Sequence, residues 1–306
     1  MIEGLELVSM LFDPAPYDTV RPVMYSRSGI GSMKNLVCLF SVALLLGCSG
    51  CLENAMLLKV NKDGSGEITY RLFLSEPMLQ TVTAVGAKEN PSAKDPDAAF
   101  QTMLQHLQGE FGTDVTLARS KLTSNKRGWQ GFEAVYAFPD VRKVRLEDID
   151  PFGNGSESNH QSGASFGGRY TFDFTPGDEA ELRLIPIPDA VSPSPYGDDP
   201  DGPQDWSSLL GTELTDDLFA RLEGLRITLY LILAGEIVES NAEFPSRKHP
   251  NVITLLDLPF DHILASTEAQ EAIKTTGPNI RQVLDSVDVK GVRIEEAGKE
   301  LSLRFK

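Results

Sequence analysis

The sequence has little cysteine, little histidine and a deficit of positive charge, and each shortage removes a class of function. All three cysteines, Cys38, Cys48 and Cys51, fall in one N-terminal stretch. The remainder therefore carries no disulfide framework and no thiolate nucleophile. The four histidines, His106, His160, His249 and His262, show neither an H-x-x-x-H nor an H-E-x-x-H spacing, which argues against a zinc site. Nothing in the residue pattern calls for a cofactor. Lys and Arg number 28 against 44 Asp and Glu, for a formal net charge of −16. No Lys/Arg cluster stands out, so nucleic acid is excluded as a partner and binding to anionic headgroups is disfavoured. A hydrophobic fraction of 41% nonetheless provides enough apolar surface for a folded body.

Long hydrophobic runs are also missing. Residues 36–46 form an uncharged apolar stretch of about 11 residues, far short of the roughly 20 that a spanning helix needs. Its context is that of a secretory signal: Lys34 supplies the positive flank, and Leu45-Leu46-Gly47-Cys48 closes the run. That closing tetrapeptide resembles the bacterial lipobox. The resemblance implies that the Cys48 thiol takes the lipid and that cleavage falls just before it, with Lys34, Leu45, Leu46 and Gly47 as recognition residues. Cys48-Ser49-Gly50-Cys51 also reads as C-x-x-C, but a redox site of that kind needs a strand-to-helix junction rather than a signal sequence. A lipobox shifted to Cys51 would put Cys48 where leucine is usual, so Cys48 is the better acceptor. Residues 1–32 precede this signal without an evident role, and the expected start is Met33, with Met24 as the less favoured alternative.

The chain therefore divides into an extension (1–32), a lipoprotein signal peptide (33–47), an N-terminal α+β region (48–153), a polar loop (154–168) and a C-terminal α+β region (169–306), the last joining 48–153 in one domain or standing apart. Removing 1–47 takes away Glu3, Glu6, Asp13 and Asp18 with Arg21, Arg27 and Lys34, so the remainder still carries −15.

Residues 55–60 and 67–74 read as a hairpin across Asn61-Lys62-Asp63-Gly64-Ser65-Gly66. The same residues open like an EF-hand loop, but Leu72 stands where that loop needs a bidentate acid. Asp95-Pro96 opens a helix whose Phe100, Met103, Leu104, Leu107 and Phe111 face the core. Residues 115–123 and 128–138 form a second strand pair. Tyr170, Phe172 and Phe174 alternate on a strand that returns over 182–187 through Pro176-Gly177-Asp178. Leu214, Leu218, Leu222 and Leu225 mark a helix. Residues 227–233 and 236–244 predict a hairpin across Ala234-Gly235, and 251–258 a strand. Helices follow over 267–274 and 278–287, then a closing strand pair over 292–296 and 301–305. This order predicts an α+β fold, mainly antiparallel sheet with helices packed on one face.

Catalytic signals are weak. Gly163-Ala164-Ser165-Phe166-Gly167 fits G-x-S-x-G but lies in a polar loop before a strand, not on a strand-to-helix elbow. Asp198, Asp199, Asp201 and Asp205 sit among prolines that favour an extended loop over a calcium site. Asp257, Asp261 and His262 could form a polar cluster, although Asp261 reads better as a helix cap with His262 on the surface. Trp129 and Trp206 suit a sugar platform or a lipid-facing rim, and core packing is the commoner fate.

The run from Gly47-Cys48 through Cys51-Leu52-Glu53 to the N-x-D-G-S-G turn resembles a loose group of uncharacterised bacterial lipoproteins. Residues 131–138, 235–241 and 252–258 add to the likeness. It implies a membrane-anchored envelope lipoprotein with acyl chains of the palmitate kind, and it carries no catalytic mechanism. The reading favoured is non-enzymatic binding of an envelope protein or an apolar or lipid ligand, with the membrane as partner through the anchor. A hydrolase of an envelope polymer and a structural surface component are the alternatives. Ser49 after Cys48 points to the outer membrane where the cell has one.

Overall fold

A computed structural model of the chain describes residues 52–80, 96–146, 170–187, 224–276, 284, 286–295 and 298–306. Two strands open it, β1 (Leu52–Val60) and β2 (Gly66–Leu74), paired antiparallel in register from Leu52↔Leu74 to Val60↔Gly66. Their connection is tied locally. The Gly64 N–H donates to the Asn61 carbonyl at 3.0 Å, and the Asn61 N–H donates to the Ser65 carbonyl at 2.7 Å. Within residues 61–66 only Gly64, at φ +85°, is left-handed, so the connection is a four-residue turn closed by a left-handed glycine. Leu72, the residue that spoils a calcium loop, is fully buried in β2.

Helix α1 (Pro96–Glu110) begins at the predicted proline, and Phe100, Met103, Leu104 and Leu107 are buried as its spacing requires. β3 (Thr116–Ser124) and β4 (Gln130–Phe138) then pair across 125–129. A short 3-10 turn (Val141–Lys143) leads to β5 (Arg145–Leu146). β6 (Tyr170–Thr175) and β7 (Ala180–Pro186) form the expected hairpin, with Tyr170, Phe172 and Phe174 buried. The remaining elements are β8 (Arg226–Leu233), β9 (Ile237–Ser240), β10 (Val252–Pro259), α2 (Phe260–Ala265), α3 (Thr267–Thr276), β11 (Arg293–Ile294) and β12 (Leu301–Phe305).

These strands make two sheets, in the orders β11-β10-β8-β1-β2-β4-β3 and β5-β6-β7-β12-β9. All pairings are antiparallel except β1 with β8, which run parallel at the centre of the larger sheet. The fold is α+β and mainly antiparallel, as expected. One core joins the two sheets: Leu58, Ile68, Tyr136 and Leu231 from the first, Phe172, Leu182, Leu303 and Phe305 from the second. The helices bury Leu104, Phe260, Ile263 and Ile273 in that same core. Tyr136 donates its hydroxyl to the Leu104 carbonyl at 3.0 Å, and Phe111 packs edge-on against the Tyr136 ring at 4.9 Å. The described helices thus lie on one face of the larger sheet.

Two strand pairings predicted from the sequence are corrected. β8 and β9 do not form a hairpin: β8 pairs with β1 and β10, while β9 pairs with β12 in the other sheet. The chain crosses between sheets at the Ala234-Gly235 step. The Ala234 N–H donates to the Val60 carbonyl and the Glu236 N–H to the Lys306 carbonyl, both at 2.9 Å. β11 and β12 do not pair either; β11 extends the larger sheet beside β10 and β12 sits between β7 and β9. Leu225 is outside any helix, leading into β8 and packing partly against the core. Leu214, Leu218 and Leu222 lie outside the described residues, as does most of the 278–287 segment.

Candidate functional site

The residues nominated for lipidation and signal recognition, Lys34, Leu45, Leu46, Gly47 and Cys48, lie outside the described residues. So do the G-x-S-x-G segment, the Asp198–Asp205 stretch and Trp206. What the structure describes begins at Leu52, and the end of the sheet where β1 begins is the first place to look.

At that end Leu52 pairs with Leu74, Leu74 with Gln130 and Gln130 with Ser124, so four residues from four strands share one level of the rim. The β3–β4 turn projects past this level. Asn125 organises it: its Oδ1 accepts from the Arg127 N–H at 2.9 Å and the Trp129 N–H at 3.0 Å. Its Nδ2 donates to the Glu53 carboxylate at 3.0 Å, fastening the turn to the start of β1. The Arg127 guanidinium lies 5.0 Å from the centre of the Trp129 ring and donates to the Gly224 carbonyl at 3.3 Å. Trp129 is therefore half-buried at the rim and not in the core, which corrects the core expectation for this residue. The reason is local: both ring and guanidinium belong to a turn held outside the sheet.

The proposed polar cluster of Asp257, Asp261 and His262 resolves into three separate pairs. Asp257 meets Arg226 at 3.1 Å, the Asp261 carboxylate accepts from the Gly224 N–H, and His262 Nδ1 lies 2.9 Å from the Lys290 carbonyl. Asp261 is inside α2 and does not cap it; Pro259 occupies the cap position with no side-chain hydrogen bond. His249 is in a different loop, where its N–H donates to Ser246 Oγ at 3.2 Å.

The side of the larger sheet away from the core carries charges that one-dimensional pattern reading passed over. Glu133, on β4, accepts from Arg71 Nε on β2 at 2.6 Å and lies 3.2 Å from Lys121 Nζ on β3. Burial pushes the Glu133 carboxyl up, but the two cations and their hydrogen bonds outweigh it and hold the group below its ordinary value. Glu133 is thus kept ionised rather than poised as a proton donor. Tyr230 is pushed up to about 12, first by burial and then by the Asp257 charge. On the same side of the sheet lie Ala55, Leu57, Val135, Ile232 and Val252, all buried yet outside the shared core. The usable signal was register: Arg71 and Glu133 stand directly opposite each other.

One buried carboxyl stands apart. Glu295 accepts from the Glu243 N–H at 2.8 Å and the Phe244 N–H at 3.1 Å, while its Oε2 has no hydrogen-bond partner. Among the described residues no group of three or more His, Cys, Asp or Glu side chains could hold a metal ion. No described helix is long and apolar enough to cross a membrane.

No protein-family model and no curated protein matches the chain. Among solved structures, the folded domain of LppM from Mycobacterium tuberculosis, determined by NMR, aligns with 84% of this chain and 91% of its own length. The identity is 9% and the TM-score 0.28. A superposition that loose carries no argument about role.

Proposed function

We propose that this chain is an exported lipoprotein, anchored by acyl chains on Cys48, whose body binds an envelope protein or an apolar ligand without catalysing a reaction. The observation that carries the reading is Leu45-Leu46-Gly47-Cys48 at the end of a short apolar run behind Lys34. The body that follows supports it. Leu52 opens a central strand of the larger sheet only four residues after Cys48, so cleavage before Cys48 would leave every described element intact. Glu133 and Asp257 are neutralised by the Arg71 and Arg226 guanidinium groups. The deeper Glu295 is tied to two backbone N–H groups, with no second side-chain acid or base on it among the described residues, which suits a rigid binding body better than acid–base chemistry.

The test is the intact mass of detergent-extracted protein from bacteria, compared with a Cys48→Ser form. The expected result is a chain beginning at Cys48 with added acyl mass, and loss of that mass in the variant. An unmodified chain that keeps residues 36–46 overturns the reading.

A further inference from the structure

We infer that the β3–β4 hairpin tip is a bilayer-contact element that orients the body on the membrane holding its own anchor. The inference rests on the lipoprotein reading and adds to it a surface and an occupant: a phospholipid bilayer containing anionic headgroups.

Chain geometry comes first. Leu52 is four residues from Cys48, so a fully extended connection spans about 14 Å at roughly 3.5 Å per residue. The end of the sheet that carries Leu52 is therefore the end tethered to the acyl chains. The β3–β4 turn leaves the sheet at that same end, past the Leu52–Leu74–Gln130–Ser124 level, and is bonded to Glu53 through Asn125. A short tether and a fastened turn put both at the same surface.

Charge comes second. From Val115 to Phe132 the chain contains Arg119, Lys121, Lys126 and Arg127 and no acidic residue, within a protein of net charge −16. Lys126 and Arg127 stand in the turn itself; Lys121 is paired with Glu133, and Arg119 lies five residues down the edge strand β3, about 17 Å from the rim at roughly 3.3 Å per residue. A strongly acidic body a few ångströms from an anionic bilayer is repelled within the roughly 8 Å Debye length, and presenting Lys126 and Arg127 at the tip lessens that repulsion. The edge also carries interfacial side chains: Trp129, half-buried against Arg127, and Leu122, which is 41% exposed. Tryptophan and long basic side chains are the residues that settle at the headgroup level.

The experiment reconstitutes the full acylated chain, with Trp206→Phe so that Trp129 is the one remaining tryptophan, into phosphatidylcholine–phosphatidylglycerol vesicles containing brominated acyl chains. The expected result is Trp129 emission at least halved by bromines near the headgroup, with weaker quenching as phosphatidylglycerol is withdrawn. Lys126→Gln should weaken the quenching while leaving the acyl mass unchanged. Acylated protein whose Trp129 is unquenched overturns the inference and leaves the anchor standing. Protein with no acyl mass overturns both. If the basic residues serve only to keep the edge strand from pairing with other chains, Arg119→Gln with Lys126→Gln self-associates and the Trp129 of the parent remains unquenched, which also overturns it.

Discussion

Arg71 and Glu133 face each other across β2 and β4, and the Arg71 Nε–H donates to Glu133 Oε2 at 2.6 Å on a nearly buried carboxylate. Removing the acid takes the Glu133 charge away from a half-buried guanidinium. Glu133→Gln is expected to cost about 2 kcal/mol near neutral pH, in the range of hydrogen bonds to charged groups. The pH dependence has a definite sign. Glu133 is held below its ordinary value in the folded protein, so its contribution is fully present above the unfolded-state value of about 4.3 and is lost as pH falls through the lower folded value. Urea unfolding at a series of pH values should show parent and variant converging in acid. A gap that persists unchanged at the acid end would mean the pair contributes through shape and not charge.

Glu295 should behave in the opposite sense. Burial raises its carboxyl above the ordinary range, and the two backbone N–H groups that lower it do not compensate. The folded state therefore holds this proton more tightly than the unfolded chain. Stability from this group is full below about pH 4.3 and declines as pH rises through the raised value. Glu295→Gln keeps an acceptor for the Glu243 and Phe244 N–H groups and removes the ionisation. Its Tm should change less than that of the parent between mildly acidic and mildly alkaline buffer. An unchanged slope would show that Glu295 is solvated in the folded protein.

Much of the fold was legible because its turns are local chemistry. Asn61-Lys62-Asp63-Gly64 and Asn125-Lys126-Arg127-Gly128 close in the same way, with the Gly N–H on the Asn carbonyl and a left-handed Gly at φ +85° and +78°. Both read as turns from composition, and they share the pattern N-K-x-G. Strand order was not legible. Ala234-Gly235 has hairpin composition, but Val60 and Lys306 take the backbone groups that a hairpin would use, and those residues are remote in sequence. The parallel β1–β8 pair depends on the same kind of distant partner. At the rim, Trp129 looked like core because its ring is apolar; nothing in the residue order showed that Arg127 would cover it. The lipidation motif stands outside the described residues and is legible only as sequence.

Gly131 tests a close approach that no torsion angle reveals. It pairs with Phe73, and a methyl group there would overlap the Leu72 carbonyl of the neighbouring strand. The nearest atoms are all β2 backbone, of Leu72 and Phe73, so no flexible side chain is there to yield. Gly131→Ala is expected to cost about 3 kcal/mol or more, or to prevent folding, at the upper end of overpacking effects. Gly109→Ala is the control, since a methyl at that helix position meets nothing within 4 Å. Equal stability of the two variants in thermal unfolding would show that β2 and β4 can separate locally.

Leu57 decides what the far side of the larger sheet is for. It is 2% exposed on a central strand, yet it lies outside the core that unites the two sheets and the helices. The buried side chains of α1, α2, α3 and the smaller sheet all belong to that core, so Leu57, Val135 and Ile232 make up a second apolar layer. If that layer is permanently packed, Leu57→Ala should cost about 2–5 kcal/mol, as for Leu231→Ala on the core side. That is the expected result, and it directs a binding partner to other surfaces. A cost below about 1 kcal/mol, against the full cost at Leu231, would mean that the packing around Leu57 opens readily. The far side would then be the place where an apolar ligand enters, and adding a long-chain fatty acid should raise the Tm of the parent but not of the Leu57→Ala variant.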